Sequence, residues 1–250
     1  MELKPGLSAL VTGGASGIGK ALVVALAQKG IFTTIIDLSE EKGKEVASLA
    51  ETEILNFRAK PEFPPVVFVK CDITDTNEIK AAFRKHIDTY GGMDICINCA
   101  GMGSSISFDK DRTDGGKSWR LTVNVHLIAV IDCTQIAARK PGVVINIASA
   151  SGLYPLYTDP IYSGSKGGVI LFTRSLAIYK RQGIRINALC PEFVQTELAL
   201  KMDPKFIELS GGFVPMEMVL KGAFELICDE NKSGSCLYPT EGAWSIGQLL

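Results

Sequence analysis

Short apolar runs alternate with segments of helical periodicity along the whole chain, and that alternation limits the fold more than any other feature. LSALVT (7–12), FTTIID (32–37), VVFVKCD (66–72), MDICIN (93–98), GVVINIAS (142–149), GIRINALC (183–190) and a short run at 235–239 read as strands. Helices are predicted between them. The first ends at Gly30 with Ile18, Leu22, Ala25 and Leu26 inward; the others are 39–51 behind a Ser39 cap, 75–90 behind an Asp cap, 117–139, 159–181 and 215–229. Residues 52–65 carry three prolines and no periodicity, which predicts a surface loop. The strands are apolar throughout instead of alternating, so both faces of their sheet must be covered. Right-handed crossovers then give an α/β, doubly wound parallel sheet with helices on both faces. With 250 residues, 46% of them hydrophobic, no internal repeat and no linker, a single domain over 1–250 is expected.

Charge and cysteine usage narrow the partners. A net charge of −1 and a pI of about 6.2 offer no broad basic field, so neither nucleic acid nor an anionic membrane is expected as a partner. The apolar runs are too short to span a bilayer, and MELKPG lacks the apolar stretch of a secretory signal. The 7 cysteines, an odd number lying mostly within apolar runs, fit free thiols in a reducing compartment, and a cytoplasmic location is expected. Cys96 and Cys99 form a C-x-x-C without a second ligand pair; DICINCAG reads as a buried strand and its exit, and no metal site is expected.

Ligands of doubly wound sheets bind at the carboxyl ends of the strands, and the polar residues that stand out all lie there. TGGASGIG (12–19) follows the first strand. Gly13, Gly17 and Gly19 allow a sharp turn and close approach to a pyrophosphate, while the helix behind them offers amides and the positive end of its dipole. A bare glycine turn reads equally as a plain bend; Asp37 tips the balance. It closes the second strand, about 20 residues on, where a carboxylate accepts from adenosine ribose hydroxyls and repels a 2′-phosphate. Leu38 follows where an arginine would favour that phosphate, and no basic residue precedes Gly17 in the turn, so NAD is expected rather than NADP. Asp72 can accept from the adenine amino group, with Ile73 beside the ring. NCAG (98–101) ends the fourth strand with small residues that let the adenosine half lie against the backbone.

Four more residues suggest proton chemistry. Ser149 ends VVINIAS and faces the crevice. Tyr162 and Lys166 stand four apart in YSGSK and share one helix face. A tyrosine titrates near ~10 and is a poor base at neutral pH unless something helps it. Asn124 interrupts the apolar helical run TVNVHLIAV, where an asparagine is poorly favoured. Each also has an ordinary reading: a turn serine, a half-buried tyrosine, a snorkelling lysine, a helix-bending asparagine.

TGGASGIG, CDITD, NCAG, the VN at 123–124, INIAS, YSGSK and CPEFVQT occur in that order, with Ser149 and Tyr162 13 residues apart. Together they resemble the short-chain dehydrogenase/reductase family, from about residue 6 to about 240. Through FTRSLA (172–177) and RINALCPEFVQT the chain is similar to its NAD-dependent 15-hydroxyprostaglandin dehydrogenase-like members. The resemblance implies a Rossmann-type domain with a cofactor half, about 1–150, and substrate-side elements, about 151–250. It implies that Tyr162 is the base in alcohol oxidation and the acid in carbonyl reduction. Lys166, with the positive nicotinamide, would lower the Tyr162 pKa towards neutrality and hold the nicotinamide ribose. Ser149 would hydrogen-bond the substrate oxygen, and Asn124 would hold a water linking Lys166 to solvent. The hydride passes directly between substrate carbon and nicotinamide. The implied cofactor contacts are Gly13, Ser16, Gly17, Ile18, Gly19, Asp37, Leu38, Asp72, Ile73, Asn98, Ala100, Gly101, Tyr162, Lys166, Pro191, Val194 through its backbone, and Thr196.

Four positions depart from the family pattern. Cys99 replaces the second asparagine of N-N-A-G. Glu192 follows Pro191 where the family has a glycine, which reaches positive φ cheaply. The 25 residues from Asn124 to Ser149 are fewer than in the prostaglandin-type relatives by roughly six, about one and a half helical turns. That shortens the helix through which such enzymes pair; a homodimer or homotetramer is expected. Asp159 stands where those relatives carry a glutamine that meets substrate, which argues against prostaglandin. Met102, Tyr154, Tyr157, Phe193 and Leu198 form an apolar wall, and a short lid (197–214) has Gly211 and Gly212 as hinges. The expected function is hydride transfer between NAD and a small-molecule substrate, a lipophilic secondary alcohol or ketone. An NAD-holding scaffold or sensor, and a redox-neutral cyclase or isomerase, are the alternatives.

Overall fold

β1 (Ser8–Thr12), β2 (Phe32–Asp37), β3 (Val66–Lys70), β4 (Ile95–Asn98), β5 (Gly142–Ile147), β6 (Ile184–Leu189) and β7 (Cys236–Thr240) form one parallel sheet, and β8 (Ala243–Ile246) adds an antiparallel edge. The structure is a computed structural model that describes residues 1–56, 62–103, 108–111, 119–240 and 243–246. β1, β4 and β6 are buried at every position, as strands covered on both faces must be. The strand order is β3-β2-β1-β4-β5-β6-β7-β8. The chain winds outward from β1 to β3, returns to β4 beside β1, and winds the other way, so the order reverses between β1 and β4. This is the doubly wound sheet read from the sequence. β8 is additional: four residues at the chain's end are too few for an alternation to show.

The connecting helices are α1 (Gly17–Ala27), α2 (Glu40–Leu55), α3 (Thr76–Tyr90), α4 (Trp119–Val123), α5 (Ala129–Ala137), α6 (Pro160–Ser175), α7 (Pro204–Leu209) and α8 (Met216–Cys228). α1, α2 and α8 place Leu22, Leu26, Val46, Val219 and Leu226 against Ile35, Ile97 and Ile145 on one face. α3 and α5 place Ile79, Phe83 and Cys133 on the other, and α6 adds Val169 and Ile170 beside Ala188. Fully burying one such leucine or isoleucine is worth roughly 1.5–3 kcal/mol. Among the described residues no helix is long and apolar enough to cross a membrane.

Local signals set some of the helix ends. Asp75 caps α3 by accepting from the amides of Asn77 at 2.7 Å and Glu78 at 3.2 Å, and α3 stops on Gly91 at φ 75°. Three expectations are corrected. α2 runs on to Leu55, because Ile54 is buried in the core. Ser39 stands at its N-cap without a side-chain cap bond; its amide donates to Asp37 instead. The helix predicted over 117–139 is three pieces, since a π-helical turn at Asn124–Ile128 separates α4 from α5 and the Ala129 amide reaches back to the Asn124 carbonyl. Residues 57–61 of the loop predicted at 52–65, and the helix start predicted at 117–118, lie outside the described residues.

Register aligns the strand ends. Thr12 pairs with Asn98, Asn98 with Asn146, and Ile147 with Leu189. The loops after β1, β4, β5 and β6 therefore open along one edge.

Candidate active site

The turn after β1 is shaped for an anion. Gly13 has φ +65°, and a Cβ there would lie 2.6 Å from the Ala100 Cα, so only glycine lets the turn seat on the exit of β4. Ser16, exposed, stands at the N-cap of α1 with no side-chain cap bond, and no acidic residue occupies the first helical turn. The amides of Gly17, Ile18 and Gly19 thus face outward at the positive end of a helix. A Cβ on Gly17 would meet Thr196 Cγ2 at 3.2 Å. Two predicted cofactor contacts far apart in the chain therefore come together.

Asp37 is held at the end of β2 by two amides: Oδ2 accepts from Ala15 at 3.0 Å and Oδ1 from Ser39 at 2.9 Å. A carboxylate fixed beside the glycine turn suits ribose hydroxyls and opposes an added phosphate. Leu38, 60% exposed, lines a hollow with Val69, Asp72, Glu78 and Ala82, and an adenine ring would fit there. Asp72 Oδ1 accepts from the Thr74 amide and hydroxyl at 2.8 and 2.7 Å.

At two predicted contacts the side chain faces the core. The Ile73 side chain is 8% exposed and packs with Ile79 and Phe83 in the core. Asn98 is 2% exposed; its Nδ2 donates to Asn146 Oδ1 at 2.8 Å and Thr134 Oγ1 at 3.1 Å. A buried amide needs partners, and this one finds them in a polar pin through the sheet. Ala100 and Gly101 remain at the cleft, the Ala100 amide donating to Thr12 Oγ1 at 3.2 Å.

Asp159 starts α6: its Oδ1 accepts from the Tyr162 amide at 3.0 Å, and Pro160 follows in the first turn. Tyr162 and Lys166 then share the inner face. Lys166 is 4% exposed, its Nζ donating to the Ile147 carbonyl at 2.8 Å and lying 5.7 Å from the Tyr162 ring centroid. Ser149 arrives from β5 on a turn pressed against α6, where a Cβ on Gly152 would lie 2.6 Å from the Lys166 carbonyl carbon. The Ser149 Oγ accepts from the Ser151 amide at 3.1 Å and donates to the Pro191 carbonyl at 3.5 Å, and the hydroxyl lies near enough to the Tyr162 phenol to lower its pKa. Three of the four predicted catalytic residues thus converge. Asn124, the fourth, is exposed at the first position of the π-helical turn, a kind of irregularity frequent at functional sites.

Burial pushes the Tyr162 phenol above its usual range; the nearby Ser149 hydroxyl draws it back, and the Asp159 carboxylate and Cys99 thiol push it further up. The lowering expected from Lys166 does not emerge in the protein alone. Burial dominates the phenol, and it also lowers the Lys166 ammonium to about 8.

On the substrate side, Met102 and Phe193 are half-buried, and the Phe193 ring meets Phe206 of α7 edge-on at 5.8 Å. Tyr154, Leu198 and, at 90%, Tyr157 are exposed. Asp159, read as a substrate contact, serves as the cap of α6. Pro191 and Val194 are buried at the lid's base, where the Val214 amide donates to the Phe193 carbonyl at 2.7 Å. Glu192 is exposed, and no described non-glycine residue has a positive φ, so this loop avoids the left-handed conformation and stores no strain there. Gly211 and Gly212, at φ 98° and 82°, do adopt it.

Two features escaped the sequence reading. His126, fully buried, packs against Tyr162; its only signal was a second polar residue in VNVHLIAV. Lys42 of α2 pairs with Glu197 of the lid at 2.6 Å, a contact between residues too far apart for any local pattern.

Comparison with known proteins agrees with this arrangement. The family model described as short chain dehydrogenase matches residues 8–205. The 15-hydroxyprostaglandin dehydrogenase (NAD(+)) of Bos taurus is 30% identical, covering 93% of this chain and 90% of its own. An uncharacterized oxidoreductase of Thermotoga maritima is 34% identical over 76% of this chain and 72% of its own. Among solved structures, an actinorhodin polyketide ketoreductase variant with NADPH superposes with a TM-score of 0.81 at 23% identity, covering 93% of this chain and 95% of that one. Levodione reductase gives 0.80 at 22% identity, covering 94% and 96%. These two speak for the fold. The sequence match spans the glycine turn, the strand-end residues and the Ser149–Tyr162–Lys166 cluster alike, and by it the chain belongs to the short chain dehydrogenase family.

Proposed function

We propose that the protein is an NAD-dependent oxidoreductase that moves a hydride between nicotinamide and a lipophilic secondary alcohol or its ketone. The observation that carries this reading is the buried Lys166 ammonium 5.7 Å from the Tyr162 ring, with the Ser149 hydroxyl near enough to the phenol to draw its pKa down. A phenol so placed takes the alcohol proton in oxidation and returns it in reduction. Ser149 turns the substrate oxygen towards Tyr162 and supports its developing charge. Lys166 gives one of its three donors to Ile147, and the others are available for ribose hydroxyls. Bound NAD supplies the hydride acceptor at its nicotinamide ring. Burial holds the free phenol high; the Lys166 charge and that of an oxidised nicotinamide act against it. Asn124, exposed on the π-helical turn, offers the proton a way to solvent.

Asp37 supports NAD over NADP, as does the similarity to relatives described as NAD(+) enzymes. Met102, Phe193 and Leu198 favour an apolar substrate. Free thiols suit the cytoplasm, and exposed Ile128 and Leu171 suit pairing into a homodimer or homotetramer. The test is NADH formation across a panel of secondary alcohols. NAD⁺ should exceed NADP⁺ in kcat/KM, and Tyr162→Phe should lower kcat/KM by at least about 10²-fold. Full activity in that variant overturns the assignment, and NAD binding without turnover on any alcohol would favour a scaffold instead.

A further inference from the structure

We propose that His126 is a positioning residue that sets the substrate wall against the acid/base tyrosine. What the wall holds rests on the oxidoreductase reading above; the geometry does not. The π-helical turn leaves Asn124 exposed and sends His126 inward, where it is 0% exposed. His126 Nε2 accepts a hydrogen bond from the Met102 amide at 2.9 Å. Its ring meets the Tyr162 ring at 89°, with centroids 5.1 Å apart. One imidazole therefore touches both the main chain of the wall and the ring that moves the proton.

The chemistry of the ring points to the acceptor. Because Nε2 accepts, a neutral imidazole carries its proton on Nδ1. Nδ1 has no partner among the described residues, and a buried unpaired donor is costly. A leucine or valine would fill the space without that cost, so a histidine here is a poor filler and a good acceptor. Burial, reinforced by the Lys166 ammonium, holds the imidazole down to about 3, which keeps Nε2 unprotonated through the neutral range. The wall lies close to both neighbours: a Cβ on Gly101 would lie 3.4 Å from His126 Nε2, and on the other side one on Gly103 would lie 3.0 Å from Leu198 Cδ1 of the lid. The strip 101–103 thus sits between His126 and the lid. Its distance from Tyr162 decides how much substrate bulk fits beside the phenol.

The test uses the full chain with His126→Phe, which keeps a ring and loses the acceptor, and His126→Gln, which offers an amide oxygen. If His126→Phe fails to fold, His126→Leu replaces it as the acceptor-free variant. Imidazole ¹⁵N shifts, with His86 the only other histidine, should show a single Nδ1–H tautomer for His126. Amide exchange at 100–103 in the protein without cofactor should quicken about tenfold in His126→Phe and stay near wild type in His126→Gln. Alcohol KM should rise about tenfold in His126→Phe, roughly 1.4 kcal/mol, with kcat and NAD affinity little changed, and His126→Gln should recover most of it. Wild-type exchange in the Phe variant, or equal impairment in Phe and Gln, overturns the proposal. If the exchange pattern holds but the wild type oxidises no alcohol, the positioning role stands and the oxidoreductase reading falls.

Discussion

Tyr162 sits under opposing influences, and its neighbours decide which wins. Burial raises the phenol and the nearby Ser149 hydroxyl lowers it. Removing the hydroxyl in Ser149→Ala takes away the lowering contribution, so the phenolate appears only at higher pH. The acid limb of the kcat/KM profile for alcohol oxidation should therefore move up, and kcat should fall by about 10²–10³-fold. A pH–rate series on wild type and variant checks both, and an unmoved limb would separate Ser149 from the proton. Ser149, Tyr162 and Lys166 were legible because their spacing and strand-end positions are properties of the chain itself. Asn98 was not: its side chain turns inward because Asn146 and Thr134 are there to receive it. Ile73 turned inward for a similar reason, having a place in the core beside Phe83.

At the scale of elements, α6 is the lever that presents the site. Its first turn is capped by Asp159 on the amide of Tyr162 itself. Asp159→Ala should cost about 1 kcal/mol of stability and reduce turnover, while Asp159→Asn, an equally good cap, should preserve both. Thermal unfolding and steady-state kinetics on the two variants decide it; a loss of turnover in Asp159→Asn would mean that the charge, not the cap, matters to substrate. The caps of α3 and α6 lie at residues that the sequence marks with aspartate. The π-helical turn at Asn124–Ile128 does not announce itself, because one extra residue in a turn leaves the apolar spacing nearly intact. The extension of α2 to Leu55 was invisible for the opposite reason, since its support comes from the core rather than from its own residues.

At the scale of the molecule, two buried histidines make stability depend on pH. Burial lowers His86 to about 4 and His126 to about 3, whereas the unfolded chain binds these protons near 6.5. The unfolded state therefore holds more protons below pH 6.5, and stability falls with pH from there towards 4. Between pH 7.5 and 5 each histidine should remove about 2 kcal/mol. Lys166, at about 8 when folded, is mostly protonated in both states over that range and adds little. Urea unfolding at a series of pH values measures the slope, and a flat profile would contradict the burial of both rings. The sequence by itself determined the doubly wound sheet, the edge where ligands meet it, the glycine turn with Asp37, and the trio Ser149, Tyr162 and Lys166. Apolar runs, caps and spacings are local, and the sheet's handedness leaves them one arrangement. Only the tertiary structure decided that Asn98 and Ile73 face the core, that Asp159 caps a helix, that Glu192 bears no strain, and that His126 joins the wall to Tyr162. Each of these depends on which partner a side chain meets across the fold, and the chain's local pattern does not carry that.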